Sequence, residues 1–331
     1  MKILIAGFGS IGRRHFHNLL ALGEKDILFY RTHQSTLPDE DLKGFQVESD
    51  LEVALKHRPQ AVIISNPTSL HLKVAIPAAQ SGCHLFLEKP ISHSQEGLDD
   101  LLGAVAAGGG QVLVGYQFRH HPGLQQVKRL LNSGAIGNVL SVHAHWGEYL
   151  PNWHPWEDYR QGYSARSDLG GGVVLTLSHP IDYLRWLLGE VSEVWAFTGR
   201  QSNLDLDVED TAEIGLRFTQ GIIGSIHLDF IQRPTAHRLE MIGTEGTIRW
   251  DNENGETRLA HAGAGSITNW ESYPIPDEFE RNDLFLTQMR HFLQVVKGRE
   301  QPECSLHDGI QALKISLAAI RSQDQRTLIR I

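Results

Sequence analysis

At 331 residues the chain is long for one hydrophobic core and suits two domains of ordinary size, with 41% hydrophobic and 21% charged residues as in a soluble globular protein. A formal net charge of −9 without a clustered Lys/Arg stripe argues against a nucleic-acid partner, and the lack of any apolar run near about 18 residues argues against a membrane span. Cys83 and Cys304 form no CxxC pair and are too few for a disulfide framework, and the N-terminus opens on a strand pattern rather than a signal peptide, so a reducing cytoplasm is expected.

Lys2 to Ala6 reads as a buried strand, followed at once by Gly7-Phe8-Gly9-Ser10-Ile11-Gly12 and a helix through about Leu22. GxGxxG is weak alone. Here it follows a strand and opens a helix, the context of a dinucleotide-binding loop. Gly7 makes the tight turn, Gly9 lets backbone N–H groups approach a pyrophosphate, and Gly12 allows close helix-to-strand packing, with Ser10 and Ile11 at the helix entrance. The plain alternative is a glycine turn. The second strand, Ile27 to Tyr30, ends where an acid would hold the ribose 2′-hydroxyl of NAD. No acid lies between Asp26 and Asp39; the chain instead has Arg31-Thr32-His33. Tyr30, Arg31 and Thr32 are cofactor candidates. An arginine there accommodates a 2′-phosphate, which favours NADP over NAD, or is merely a solvated residue after a strand.

The α/β alternation continues with a helix over 51–57, a strand over 61–64, and a helix over 70–81 stopped by Gly82. Between the last two, Ser65-Asn66-Pro67-Thr68 forms a polar turn that either meets the nicotinamide half of a dinucleotide or serves only as a turn. The run HLFLEKP, 84–90, is a short apolar strand ended by an acid, a base and a proline. Lys89 would then sit where cofactor meets substrate, with Glu88 orienting or tuning its ammonium group. A surface Glu-Lys pair before a turn is the plain alternative. A helix over about 95–107 and a last strand, Gln111 to Gly115, complete a doubly wound sheet.

After Gly115 the pattern changes. A strand over 139–146 leads into Glu148 to Trp156, a loop dense in aromatic and polar side chains, suited to the flat faces and hydroxyls of sugars or to simple surface packing. Trp153, Arg160, Tyr163 and Arg166 are candidates for hydroxyl or phosphate binding. His143, His145 and His154 invite a metal reading, but no carboxylate or cysteine stands in register with them, so no metal is expected. In 170–189, Val174, Leu177, Ile181, Leu184 and Leu188 fall at helical spacing, while His179 and Asp182 share another side, pointing together toward the sheet cleft. Pro180 either lies in the first turn of a helix beginning near Ser178 or kinks it; both put His179 at a helix entrance, poised rather than buried.

From Val191 to about Ile275 the period is two, with Ile214, Leu216 and Phe218 alternating against Glu213, Gly215 and Arg217. Turns at 219–221 and 243–246 mark antiparallel hairpins. A sheet with one open face is expected to pair copies into a homodimer or homotetramer. Two core helices follow, one ending at Gly298 and one opening on the capping box Ser305 to Asp308.

The chain resembles the Gfo/Idh/MocA family of NAD(P)-dependent oxidoreductases, the glucose-fructose oxidoreductase and inositol dehydrogenase group. The carriers are GFGSIG at 7–12, SNPTSLH at 65–71, GCHLFLEKP at 82–90, GYQFRHHP at 115–122 and GGGVVLTLSHPIDYLRWLLG at 170–189. The resemblance spans essentially the whole chain. It implies a Rossmann domain over 1–120 and an α+β domain over 121–331 built on a large, mainly antiparallel open sheet, with the last helix able to pack back on the first domain. Through these motifs His71, Glu88 and Gln117 join the cofactor candidates, and Lys89 touches both nicotinamide and substrate. His179 becomes the acid/base, with Asp182 among the substrate contacts, and sugars, cyclitols or nucleotide sugars become the substrate class. Many members carry an aspartate four residues before the motif histidine; this chain has Leu175, with Thr176 beside it. The expected activity is hydride transfer between nicotinamide and a secondary alcohol or ketone, the proton carried by His179 or Lys89. A glycosidase or lyase that oxidises transiently, and a non-catalytic dinucleotide sensor, are the alternatives.

Overall fold

The computed structural model describes residues 1–32, 40–261 and 269–331. Two compact units emerge. The first takes residues 1–117, 168–170 and 281–313, and the second takes 118–167, 171–280 and 314–331. The division thus falls at Gln117/Phe118 rather than at 120/121, and 281–313 goes with the first unit.

The first unit runs β1 (Ile3–Ala6), α1 (Ser10–Ala21), β2 (Ile27–Tyr30), β3 (Gln46–Glu48), α2 (Leu51–Lys56), β4 (Ala61–Ile64), α3 (His71–Gln80), β5 (His84–Leu87), α4 (Leu98–Gly108) and β6 (Val112–Val114). Among the described residues its sheet has six parallel strands in the order β3-β2-β1-β4-β5-β6, the doubly wound arrangement. Parallel strands covered on both faces are apolar throughout, and every residue of β1 and β4 is buried. Gly97, held left-handed at φ +78°, delays α4 to Leu98.

The second unit contains α5 (Pro122–Asn132), β7 (Val139–Gly147), α6 (Val173–Thr176), α7 (His179–Leu188), β8 (Val191–Gly199), β9 (Thr211–Phe218), β10 (Ile223–Asp229), β11 (Ala236–Gly243), β12 (Gly246–Asp251), β13 (Thr257–His261) and β14 (Trp270–Tyr273). In the first unit, α8 (Arg281–Val296) packs on α1, where Asn282 Nδ2 donates to Asn18 Oδ1 at 2.9 Å and Phe292 meets Phe86 edge-on at 5.4 Å. That packing draws 281–313 to the Rossmann sheet. Helix α9 (Leu306–Gln325) opens on the expected capping box, Ser305 Oγ donating to Asp308 Oδ2 at 2.7 Å, and β15 (Ile329–Arg330) closes the chain against β8.

The second sheet, among the described residues, runs β14-β13-β12-β11-β7-β10-β9-β8-β15 and is antiparallel except where β10 lies parallel to β7. Its strands alternate as expected. In β9, Ala212, Ile214, Leu216 and Phe218 are buried while Glu213 and Arg217 are exposed. One face packs on α5, α6 and α7. The other carries Trp195, Phe197 and Ile223, 39%, 62% and 57% exposed.

Candidate functional site

In the first unit the strand order reverses between β1 and β4, so the loops after these two strands open side by side at the sheet's C-terminal edge. Gly7 takes φ +95°, and a Cβ there would collide with the backbone of Asn66. The Ser65 hydroxyl seals this contact, donating to the Gly7 carbonyl at 3.0 Å. A Cβ on Gly12 would strike the same carbonyl. Gly9 differs, because no described atom lies within 4 Å of the place its Cβ would take. Packing makes no demand for glycine there, and the position lies open at the N-terminus of α1, beside Ser10 and Ile11. Asn66 supplies a second sign: its Oδ1 is buried with no hydrogen-bond partner among the described residues, an acceptor available to a ligand donor. Pro67, beside it, is half-buried. The residues present fit a dinucleotide.

Beyond β2, Tyr30 is half-buried and Thr32 exposed, and His33 lies outside the described residues. Arg31 is not the solvated residue of the plain alternative. It is 5% exposed, and its Nη1 donates to the Phe8 carbonyl in the glycine loop at 3.3 Å. Arg13, which sequence reading did not single out, lies 4.6 Å from the centre of the Phe8 ring and pairs with Asp41 at 2.7 Å.

Lys89 stands half-buried just past the C-terminal end of β5. Glu88 before it turns inward: its Oε1 lies 2.6 Å from Nε2 of the fully buried His15, and its Oε2 accepts from the Lys89 backbone N–H at 3.3 Å. Expected as a cofactor contact, Glu88 is placed here as an anchor between β5 and α1. His15 is also new, although its place beside Gly12, Phe16 and Leu19 on the buried face of α1 is visible in the helical spacing. His71 is likewise committed to the protein. Its ring nitrogens each lie 2.9 Å from a backbone carbonyl, Pro90 at Nδ1 and Asn66 at Nε2. Burial lowers its pKa, and the ring lies between the two loops with one nitrogen facing each carbonyl. Gln117, 8% exposed, follows β6 as the last residue of this unit's main segment.

In the second unit α7 begins at His179 with Pro180 in its first turn, the first of the two options the sequence allowed. The expectation of a poised side chain fails. His179 is 2% exposed, because Phe118 and Trp146 pack against its ring at 5.0 and 5.5 Å. Asp182 is likewise closed off at 1% exposed, its two oxygens accepting from Arg119 Nε at 3.0 Å and Nη2 at 2.6 Å. The pair locks α7 in place. Behind Trp146, His237 stacks at 4.3 Å, its pKa pushed well down by burial and its Nε2 hydrogen-bonded with the Tyr183 hydroxyl at 3.3 Å. Leu175 and Thr176 are buried.

The candidate sugar-binding side chains separate. Trp153 is half-buried, edge-on to Phe230 at 5.6 Å, with an indole N–H that has no partner among the described residues, and Tyr163 is half-buried. Arg160 is exposed and folded back on Asp158 through two bonds of 2.8 Å, a bidentate pair that occupies the fork expected for substrate.

A parallel sheet with a glycine loop at its switch point, coupled in sequence to an open-faced antiparallel domain, defines a two-domain dinucleotide-binding oxidoreductase. Residues 1–116 match the model for "Oxidoreductase family, NAD-binding Rossmann fold" and residues 124–249 the model for "GFO/IDH/MocA C-terminal domain". The chain belongs to the Gfo/Idh/MocA family of NAD-binding oxidoreductases. It is 27% identical to the uncharacterized oxidoreductase YrbE of Bacillus subtilis (strain 168), over 96% of this chain and 93% of that protein. It is 25% identical to the myo-inositol 2-dehydrogenase of Thermotoga maritima, over 100% of this chain and 98% of that protein. A solved levoglucosan dehydrogenase, in complex with NADH and levoglucosan, shares the fold with a TM-score of 0.88 at 22% identity, covering 100% of this chain and 99% of that one. Among the described residues no helix is long and apolar enough to cross a membrane.

Proposed function

We propose that this protein is a dehydrogenase or reductase acting on a secondary alcohol or ketone of a sugar, cyclitol or nucleotide sugar. The observation that carries the reading is Lys89 just past the end of β5, in the same unit as a glycine loop whose Gly9 leaves open room at the N-terminus of α1. A bound nicotinamide supplies the hydride chemistry. Either His179 takes the hydroxyl proton, with the Lys89 ammonium stabilising alkoxide character on the substrate oxygen, or a Lys89 amine takes the proton itself and becomes that ammonium. Asn66 Oδ1 accepts from an amide of the cofactor, and Trp153 offers an aromatic face and an N–H to a sugar. The substrate class draws support from the inositol and levoglucosan dehydrogenases to which the chain is similar.

A preference for NADP over NAD rests on the missing acid after β2 and on Arg13 and Arg31 gathered at Phe8. The outer sheet face with Trp195, Phe197 and Ile223 supports pairing of copies as a homodimer or homotetramer. Two buried free cysteines accord with a reducing cytoplasm.

The test is a turnover screen of NAD and NADP against polyols and nucleotide sugars, followed at the nicotinamide absorbance. Net reduction that falls by about 100-fold to 10,000-fold in Lys89→Ala, with dinucleotide affinity retained, is expected. Product without net reduction would identify the transient-oxidation chemistry of a lyase instead, and unchanged turnover in Lys89→Ala would remove Lys89 from the reaction.

A further inference from the structure

On the outer face of the second sheet, the parallel pairing of β7 with β10 sets His145 opposite His227 and Gly147 opposite Asp229. Alternation along β7 turns His145 away from Trp146, the residue that packs on His179, so this cluster lies on the opposite face from the candidate acid/base. His145, His227 and Asp229 each place one donor atom within 4.8 Å of the others.

Their surroundings are those of ligands already oriented. His227 Nδ1 lies 2.5 Å from Glu213 Oε1, which leaves Nε2 facing Asp229 Oδ2 at 3.0 Å. The other oxygen of Asp229 accepts from the backbone N–H groups of Ile231 at 2.8 Å and Gln232 at 2.6 Å, fixing the carboxylate. His145 stacks on His227 at 4.6 Å, with its Nε2 2.5 Å from Gln232 Oε1. A Cβ on Gly147 would collide with Asp229 Oδ2 and Gln232 Oε1, so the glycine keeps the space clear. Arg238, opposite His145 on β11, is neutralised by Asp251 at 3.0 Å.

We propose that His145, His227 and Asp229 form a binding site for a zinc-like divalent cation, with Glu213 as the carboxylate that orients His227. Two imidazoles and one carboxylate are a borderline donor set of the kind that takes zinc at about 2.0–2.2 Å, and the fourth position falls to solvent or to the Gln232 carboxamide oxygen. The ion staples the parallel seam of an otherwise antiparallel sheet, the pairing with the weaker hydrogen-bond geometry. Sequence reading expected no metal because no carboxylate stood near the histidines of β7; the fold brings one from β10.

The full chain, stripped with chelator, is titrated with Zn²⁺ by calorimetry and with Co²⁺ by absorption. One equivalent is expected to bind, with the intense ligand-field bands of a four-coordinate ion and a zinc-dependent rise in unfolding temperature. His145→Asn and His227→Asn, at partly exposed strand positions, are expected to weaken binding at least about 100-fold, and Glu213→Gln about tenfold. Binding of the same strength in both histidine variants would overturn the proposal, since other histidines would then hold the metal. So would weak six-coordinate bands in the wild-type protein, a result that needs no variant.

Discussion

An acid accompanies each candidate reacting residue, Glu88 beside Lys89 in the first unit and Asp182 one helical turn beyond His179 in the second. Their partners differ. Glu88 faces an imidazole, His15, whereas Asp182 is clamped by both arms of a guanidinium, Arg119, with side-chain exposures of 2% and 3%. An imidazole offers one bond to a carboxylate oxygen, whereas the guanidinium fork takes both oxygens and stays charged if its partner is lost. The first pair is therefore a single tie beneath a strand end, and the second a locked bolt that fixes where α7 begins. In both units the acid next to the reactive group holds the scaffold.

The contrast predicts unequal costs. Asp182→Ala leaves a buried guanidinium uncompensated and is expected to lower unfolding free energy in urea by about 3–5 kcal/mol. Glu88→Gln is expected to cost less, because the carboxamide can still hydrogen-bond the His15 ring and no guanidinium is left unpaired. Equal losses would break the comparison.

Glu209, in the second unit, sharpens it with a smaller effect. Its Oε1 accepts from the Val174 N–H at 3.1 Å, and a Cβ on Gly172, which has φ +101°, would press on the same carboxylate. Burial pushes its pKa up to about 6 from 4.5, so the folded state binds the proton more tightly than the unfolded chain. Stability then falls as pH rises from about 4.5 to about 6, by roughly 2 kcal/mol. Urea unfolding of Glu209→Gln across that window should show the slope flattened; an unchanged slope would assign it to other groups.

The smallest effect belongs to the first unit alone. Arg31→Ala is expected to shift the ratio of NADP to NAD affinity by about tenfold toward NAD, roughly 1.4 kcal/mol, in parallel titrations of the two cofactors. A ratio that does not move would leave Arg31 as a support for Phe8 only.

The first unit was legible because its signals are local. Buried parallel strands read as apolar runs, and the glycine loop is contiguous. Only β3, three residues long and polar at Gln46 and Glu48, left no such run. The alternation of β9 to β12 was equally plain. What did not show were contacts between distant residues: Arg119 meets Asp182 across 63 positions, Phe118 and Trp146 bury His179, and β10 pairs parallel to β7. Side-chain type marked His71, Glu88 and Arg160 as candidates, but type does not say where a group is already committed. Gly9 and Gly7 look alike in the motif, yet one is demanded by Asn66 and the other by no described protein atom.

That last difference gives the most direct test. Gly9→Val places a side chain where the described protein has none, at φ −78°, a conformation valine adopts, so the unfolding free energy in urea should stay within about 0.5 kcal/mol of the wild type. Titration with NADH and NADPH should nevertheless show binding weakened about 100-fold or more. Undiminished affinity in a folded Gly9→Val protein would contradict a dinucleotide seated on this loop.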